Sequence, residues 1–79
     1  MERGPLIDCL SDMIGTDKEL SLIFWGEDSP FEIRNVEKVE ELKSSQGIRI
    51  TTNSNQIWID SSHVSAAWQV QPQRPGYYR

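Results

Sequence analysis

The stretch from Gly47 to Asp60, GIRITTNSNQIWID, restricts most strongly what this chain can fold into. β-branched and polar residues alternate on both sides of a polar turn at residues 53–55, and this period of two predicts a β-hairpin. Trp58 breaks the alternation because it lies between Ile57 and Ile59, which leaves the second arm apolar on both faces. Such a strand needs a cover on each face, and a short chain has little material for both. The pattern therefore favours a small β-fold that associates with copies of itself.

Length, composition and cysteine content restrict the class of protein. The 79 residues fit one domain near the lower size limit for a self-sufficient core, and 37% hydrophobic with 25% charged residues is typical of a folded chain. No apolar run is long enough to span a membrane, and the first residues lack the pattern of a signal peptide. Cys9 is the only cysteine and cannot form an internal disulfide, so we expect a reducing, cytoplasmic environment.

Charge is distributed unevenly along the chain. The overall net charge is −4, but residues 5–70 hold eleven acidic and five basic residues, a net charge of −6. The segment from Gln71 carries Arg74 and Arg79 and no acid. Broad binding to a phosphate backbone depends on clustered Lys and Arg, so an acidic body argues against it. Any contact with nucleic acid would have to be local.

An amphipathic helix is predicted at the start of the folded part of the chain. Residues 1–4 are expected to be frayed, and Pro5 suits a first helical turn. Apolar residues then recur at helical spacing up to Ile14, and Gly15 is a suitable left-handed end. We therefore expect a helix over residues 5–14.

Five strands are expected after this helix. The first is Lys18–Trp25, KELSLIFW, with apolar residues on both faces, and the second begins at Phe31. The two arms of the hairpin supply the third and fourth strands, and the alternating segment Val64–Val70 supplies the fifth. The folded domain is expected to cover residues 5–70, followed by an extended tail at 71–79.

The segment at residues 35–43, NVEKVEELK, allows two interpretations. Val36, Val39 and Leu42 recur every third residue, which fits neither a straight strand nor a full helical stripe. The segment could be a short helix capped by Asn35, or it could continue the second strand through bulges that change the facing residues. We favour a long, bent second strand, because a small barrel requires bending and the flanking segments are strands.

This order of one helix, five strands and short connections resembles the Sm-like family of small RNA-associated barrels over residues 5–70. The likeness rests on the helix ending at Gly15, on KELSLIFW with its Gly-containing turn, and on the segment IWIDSSHVSAAW. The resemblance implies a mostly β fold, an N-terminal α-helix followed by a five-stranded, strongly bent antiparallel small barrel of the Sm-like or SH3-like type. In that family the last two strands pair between neighbouring copies and close a ring of fewer than ten subunits. Residues expected at that subunit interface are Ile57, Trp58, Ile59 and Trp68, although Trp68 could instead fill the core.

The nucleotide-binding signatures of the family match less well than its fold. The loop Lys43–Gly47 lacks the Asp–hydrophobic–Asn signature of the eukaryotic and archaeal branch, and Asp60-Ser61-Ser62 stands where that branch has Arg-Gly. The bacterial RNA-chaperone branch carries Lys-His before the last strand, whereas His63 has no such Lys. Because a fold alone does not fix a function, RNA binding is an expectation from resemblance.

Single-stranded RNA is the first expected partner besides the protein itself. Short polar side chains in loops can hold splayed bases, and repeated weak contacts in a ring add up. By resemblance, the candidate RNA-binding residues are Lys43, Ser45, Gln46, Asp60, Ser62 and His63. The tail could contribute further charge and stacking through Arg74, Tyr77, Tyr78 and Arg79. The composition of the tail favours a simpler interpretation, an end without ordered contacts.

Enzymatic chemistry is not predicted. One His, one Cys and scattered carboxylates supply neither an activated nucleophile nor a metal-ligand spacing, so we expect no catalytic residue, no metal and no cofactor. We also expect no membrane partner and no small-molecule substrate. A second hypothesis is a homo-oligomeric protein-interaction or structural ring that does not bind nucleic acid, and the acidic body supports it. A neutral or basic rim at the pore-facing loops would favour RNA, and an acidic rim would favour a protein partner.

Overall fold

In the computed structural model, which describes residues 1–70, an N-terminal helix packs against six strands that form two antiparallel β-sheets. This arrangement confirms a mostly β fold that begins with an α-helix. The elements in chain order are α1 (Arg3–Asp12), β1 (Glu19–Phe24), β2 (Phe31–Arg34), β3 (Val36–Glu41), β4 (Gly47–Thr52), β5 (Gln56–Asp60), a 3₁₀ helix (Ser61–His63) and β6 (Val64–Val70).

Helix α1 buries one apolar stripe and begins earlier than expected. Leu6 and Leu10 are buried, as the helical spacing predicts. The helix starts at Arg3 rather than residue 5, so residues 3 and 4, expected to be frayed, are helical. The Arg3 side chain binds three backbone carbonyls of the β3–β4 loop, which holds the first turn in place. Gly15 adopts a left-handed φ of 77° after the helix, a conformation that glycine takes without steric cost.

The ambiguous segment is a strand, so its interpretation as a short helix is wrong. Strand β3 pairs with β4 over Val36–Glu41, and the register shifts between Val36 and Lys38. Asn35 has a left-handed φ of 57° and turns the chain between β2 and β3. The turn and the bulge change which residues face inward, so Val36 is buried and Val39 packs against the core. These two irregularities explain the three-residue spacing of the apolar residues.

The two sheets do not form the expected five-stranded barrel. One sheet, sheet A, has the order β2-β1-β6, and the other, sheet B, has the order β3-β4-β5. The expected second strand is divided at Asn35 into β2 and β3, which gives six strands. Strands β5 and β6 are consecutive but lie in different sheets, because the 3₁₀ helix turns the chain between them. No β5–β6 ladder closes the sheets into a barrel in the part of the chain that the structure describes.

The core lies between α1 and the inner faces of both sheets and is aliphatic. Every fully buried apolar side chain of the described residues is a Leu, Ile, Val or Met. The buried set is Leu6, Leu10, Met13, Leu20, Leu22, Ile33, Val36, Ile48, Ile50 and Val64. The three tryptophans of the chain all lie outside this core.

Candidate functional site

Two loops selected from the sequence lie side by side at one end of the β4–β5 hairpin. The register pairs Gly47 with Asp60, so the loop before β4 and the 3₁₀ helix after β5 meet. The Ser61 backbone N–H donates to the Gln46 carbonyl oxygen at 2.9 Å, and Ser61 Oγ donates to Gln46 Oε1 at 2.8 Å. Ser61 is completely buried, so these bonds join the loops away from water. The hairpin itself therefore brings the candidate residues together.

Three of the six predicted loop residues line one open concave surface of about 650 Å³. These residues are Ser45, Gln46 and Ser62, and the first turn of α1 with the two residues before it forms the rest of the lining. The full lining is Met1, Glu2, Arg3, Gly4, Pro5, Ser45, Gln46 and Ser62. We call this surface the loop groove. Lys43, Asp60 and His63 are exposed in the same loops but do not line it.

Arg3 is the residue of this region that sequence analysis missed. Its Nη1 donates to the carbonyl oxygens of Leu42 at 3.2 Å, Ser44 at 2.6 Å and Gly47 at 3.3 Å. Its Nη2 lies 3.9 Å from Glu41 Oε1. Charge-assisted bonds to three carbonyls fix the loop against the helix, so this guanidinium is committed to the fold. Arg3 lies on the same helical face as Leu6 and Leu10, but it is polar, so the apolar periodicity that predicts α1 does not mark it.

Asp60 is occupied as the cap of the 3₁₀ helix. Its Oδ1 accepts hydrogen bonds from Ser62 Oγ at 2.6 Å and from the Ser62 backbone N–H at 2.9 Å. These bonds, led by that of the Ser62 hydroxyl, lower the pKa of Asp60 below its ordinary value, and the charge of His63 acts in the same direction. Asp60 therefore adds a negative charge beside the loop groove.

Almost every cation of the described residues is already paired with a carboxylate. Five of the six Lys and Arg side chains within residues 1–70 lie within 4.0 Å of an Asp or Glu: Arg3, Lys18, Arg34, Lys38 and Arg49. The closest pair is Arg49 Nη2 with Glu40 Oε1 at 2.6 Å, and the Arg49 hydrogen bond lowers the pKa of Glu40. Lys43 is the one Lys or Arg side chain of this part of the chain outside such a pair. The rim of the loop groove carries charges of both signs, because the Met1 ammonium and Arg3 line it together with Glu2, and Asp60 lies beside it.

The predicted interface residues divide between the two faces of β5. Ile57 and Ile59 pair with Ile50 and Ile48 and pack against the core. Trp58 points outward, opposite Arg49, and is 59% exposed. The second arm of the hairpin is therefore apolar on both faces, and its outer face has no cover within residues 1–70.

Strand β6 repeats this arrangement at the edge of the other sheet. Trp68 lies opposite Ser21 of β1 and is 43% exposed, so it is not one of the core residues. Among the described strands, β5 pairs with β4 alone and β6 pairs with β1 alone. Each of these two strands thus has one unpaired edge, and each carries an exposed tryptophan.

Trp25 was expected to be the last residue of the first strand, and the structure corrects this. Strand β1 ends at Phe24, and Trp25 starts the turn that continues through Gly26. With 71% of its surface exposed, it is the most exposed large apolar residue of residues 1–70. Gly26 was the signal in the sequence, because glycine commonly adopts left-handed backbone at turns. Its φ is 87°, and β1 ends at Phe24, one residue before the predicted end at Trp25.

Other predicted features can be placed only within the described residues. No group of three or more His, Cys, Asp or Glu side chains in residues 1–70 could hold a metal ion. None of the helices described is long and apolar enough to cross a membrane. The tail candidates Arg74, Tyr77, Tyr78 and Arg79 lie outside the described residues.

Comparison with known proteins gives no further identification. Protein-family models, curated proteins and solved structures all gave no match to this chain. The resemblance to the Sm-like family therefore stays a prediction, and it rests on the chain's own residues and order of elements.

Proposed function

We propose that this protein is a homo-oligomeric protein-interaction module that assembles into an Sm-like ring through the unpaired edges of β5 and β6. The observation that carries the proposal is the exposed tryptophan on each of these edge strands, Trp58 and Trp68. An unpaired strand edge promotes association unless it is covered, and the association of unlike edges closes into a ring when the rotation permits.

Pairing of the two edges would also bury the tryptophans. When β5 of one copy pairs with β6 of the next and both inner faces stay on their own cores, Trp58 and the next copy's Trp68 share one outward side. Burial of a large side chain contributes roughly 2–3 kcal/mol. Two such side chains at every seam supply a substantial part of the free energy that association requires.

The assembly is tested by measuring mass in solution. Light scattering of the wild-type chain should give a multiple of 9.1 kDa, and Trp58→Glu should give monomer or aggregate because a charge would face the seam. Trp25→Glu is the matched control, since it makes the same change at an exposed tryptophan away from the two edges, and it should keep the native mass. A folded wild-type monomer, or an unchanged mass for Trp58→Glu, would overturn the proposed assembly.

The electrostatics favour a protein as the partner of this assembly. Residues 5–70 carry a net charge of −6, and Lys43 is the one Lys or Arg side chain of residues 1–70 without a carboxylate within ion-pair distance. Affinity for a phosphate backbone comes from cations that release counterions, and paired cations contribute little to it. The proposed role is binding rather than catalysis, in the reducing cytoplasm expected from the single Cys9.

Single-stranded RNA is a second candidate, supported by the loop groove. Ser45, Gln46 and Ser62 converge on one surface, and short polar side chains of this kind hold unstacked bases. Lys43 and His63 are exposed beside it and could contact a phosphate. In a ring the groove would be repeated once per subunit, so weak individual contacts would add through multivalency.

Fluorescent oligo-U and oligo-A at low salt distinguish the two candidates. RNA binding predicts a saturable change in anisotropy that is weakened by Lys43→Glu, because this cation lies in the loop beside the groove. Lys38→Glu is the matched control, since Lys38 is an exposed cation that faces Glu40 on sheet B. If an intact oligomer shows no saturable binding at low salt, the RNA candidate fails and the protein-interaction role stands.

A further inference from the structure

A second apolar surface lies on the outer face of sheet A, away from the loop groove. Ile23 pairs with Ala66, Ser21 pairs with Trp68, and Glu19 pairs with Val70, so one side of the β1–β6 ladder is largely apolar. We call Ile23, Trp25, Ala66, Trp68 and Val70 the aromatic face.

Trp25 extends this surface beyond the end of β1. Its backbone N–H donates to the His63 carbonyl oxygen at 2.8 Å. This hydrogen bond joins the chain on either side just beyond Phe24 and Val64, the last pair of the β1–β6 ladder. Trp25 follows Ile23 by two residues, at the start of the β1–β2 turn, and its side chain is exposed there. The aromatic face therefore runs from the β1–β2 turn to the end of β6.

Three of the five residues of the aromatic face are exposed within residues 1–70, while Ile23 and Ala66 are half-buried. Trp25 is 71% exposed, and Trp68 and Val70 are 43% and 42% exposed. Helix α1 packs on the opposite side of the sheet, where the inward-facing Gln69 donates to the Cys9 carbonyl oxygen at 3.0 Å. Contiguous exposed apolar surface on a small protein usually marks an interaction site.

The surroundings of the aromatic face are acidic. Glu27 and Asp28 follow Trp25 in the exposed turn and make no ion pair within residues 1–70. Glu19 and Glu32 flank the other side and share one cation, Arg34, at 3.5 Å each. An occupant of this surface would be favoured if it combined positive charge with apolar or aromatic side chains, because Arg over an indole ring adds a cation–π attraction.

We propose that the aromatic face binds residues 71–79 of this chain, QPQRPGYYR. This segment follows Val70 directly and contains no acidic residue. It supplies positive charge and aromatic side chains through Arg74, Arg79, Tyr77 and Tyr78. Nine residues span up to about 30 Å, and the six residues of β1 cover about 20 Å, so the segment is long enough to reach Trp25. The inference goes beyond the proposed function and does not depend on it.

A spin label placed in the segment tests the proposal on the full chain. Gly76→Cys is labelled in a Cys9→Ser background, and peak intensities are measured by NMR. The Trp25 and Ile23 signals should lose intensity, whereas the Lys38 and Thr51 signals should keep it because these residues lie on the outer face of sheet B. Broadening of all four signals alike, or of none, would overturn the proposal.

Charge reversal provides the matched control. Arg74→Glu with Arg79→Glu in the same labelled chain should restore the Trp25 and Ile23 intensities, because the acidic flank would repel the segment. The same reversal without a label should shift the Trp25 and Trp68 indole signals, a measurement that needs no Cys9 substitution. Indole signals that do not move would count against the aromatic face as the binding surface.

The donor copy is identified by mixing two preparations. When ¹⁴N chains carry the label and ¹⁵N chains do not, intensity is lost only if the segment binds a neighbouring copy. In a second sample every chain is both ¹⁵N-enriched and spin-labelled. If the Trp25 and Ile23 signals lose intensity in this sample but not in the mixture, the segment binds within its own copy. Both results support the surface, and neither depends on the mass found by light scattering.

Discussion

The inner and outer sides of the two sheets use different apolar residues. The buried side chains are aliphatic, whereas the three tryptophans of the chain are 43–71% exposed on the outer side or at a turn. Tryptophan has the largest apolar surface of any side chain, so its free energy of burial is obtained only when another surface covers it. The inner side therefore stabilises the fold of one copy, and the outer side is suited to contacts with a partner.

Polar side chains also differ between the buried interior and the exposed surface. No buried side-chain nitrogen or oxygen of the described residues lacks a hydrogen-bond partner. On the outer side, ion pairs such as Arg49–Glu40 and Lys18–Asp12 involve exposed or half-exposed side chains. Exposed ion pairs contribute little to stability, so the outer side should tolerate substitution far better than the inner side.

The largest expected effect comes from shortening a core side chain. Leu22 is completely buried, so Leu22→Ala should lower the free energy of unfolding by roughly 2–5 kcal/mol through lost contacts and a cavity. Lys38→Ala, at an exposed position on the outer face of sheet B, should change it by no more than about 0.5 kcal/mol. Urea unfolding followed by far-UV circular dichroism at one fixed protein concentration measures both. If both variants lowered the free energy of unfolding equally, the inner and outer sides would not differ in their contribution to stability.

A smaller effect is expected at the turn that positions the inner face of β3. Asn35 has a left-handed φ of 57°, which β-branched residues rarely adopt, so Asn35→Val should cost about 1–3 kcal/mol. Asn35→Gly should stay close to the wild-type value because glycine adopts this φ freely. The same unfolding measurement compares the pair. If Val and Gly were tolerated equally, the turn at Asn35 would not be what places Val36 and Val39 inward.

Much of the fold could be predicted because it follows from local patterns. The alternation in Gly47–Asp60 predicted the β4–β5 hairpin, and the structure has its turn at the polar residues 53–55. The same register brings Gln46 next to Ser61, so part of the loop groove was also predictable. The division of the second strand was harder to predict, because one Asn in a left-handed conformation has no periodic signal of its own.

Other features depend on contacts between distant residues, which the sequence alone does not show. Arg3 binds carbonyl groups more than 38 residues away, and nothing near it in the sequence marks that role. The position of Trp25 is a local case by contrast, because the left-handed Gly26 follows it directly. The distant contacts of Arg3 account for the part of the candidate site that sequence analysis missed.

Two glycines, one buried and one exposed, should respond differently to the addition of a single methyl group. A Cβ on the buried Gly47 would clash with Ser44 Oγ and lie 3.0 Å from Leu42 Cδ1, so Gly47→Ala should cost roughly 1–3 kcal/mol. Gly4 is exposed in α1, and apart from its chain neighbours no atom lies near its added Cβ. Pro5 follows it directly and disfavours helical backbone for a preceding residue that carries a Cβ, which opposes the gain in helix propensity. Gly4→Ala should therefore change stability by no more than about 0.5 kcal/mol. In thermal unfolding the midpoint should fall for Gly47→Ala and stay close to the wild-type value for Gly4→Ala. An equal fall for both variants would contradict the close packing around Gly47.

The smallest expected effect concerns the exposed carboxylates of the outer side. Hydrogen bonds lower the pKa of Asp12 through Lys18, of Glu40 through Arg49 and of Asp60 through Ser62, each relative to an ordinary value of 3.8, 4.5 and 3.8. When the pKa of a carboxyl group is lower in the folded state, the ionised group contributes to folding stability at any pH above its ordinary pKa. This contribution is lost as the pH falls through the lowered folded-state pKa. Stability should therefore decline below about pH 4, and only modestly, because these groups face solvent.

Asp60→Asn tests this decline at one group. Asparagine can still accept the hydrogen bonds of Ser62 but does not titrate, so the variant should lose less stability than the wild type between pH 5 and about pH 2. Asp28→Asn is the control, since that exposed carboxylate belongs to no ion pair of the described residues. Thermal midpoints measured across this range compare the three proteins. If the thermal midpoints of Asp60→Asn followed those of the wild type at every pH, the ionisation of Asp60 would not contribute to the loss of stability in acid. The hydrogen bonds of this exposed carboxylate would then matter little for stability.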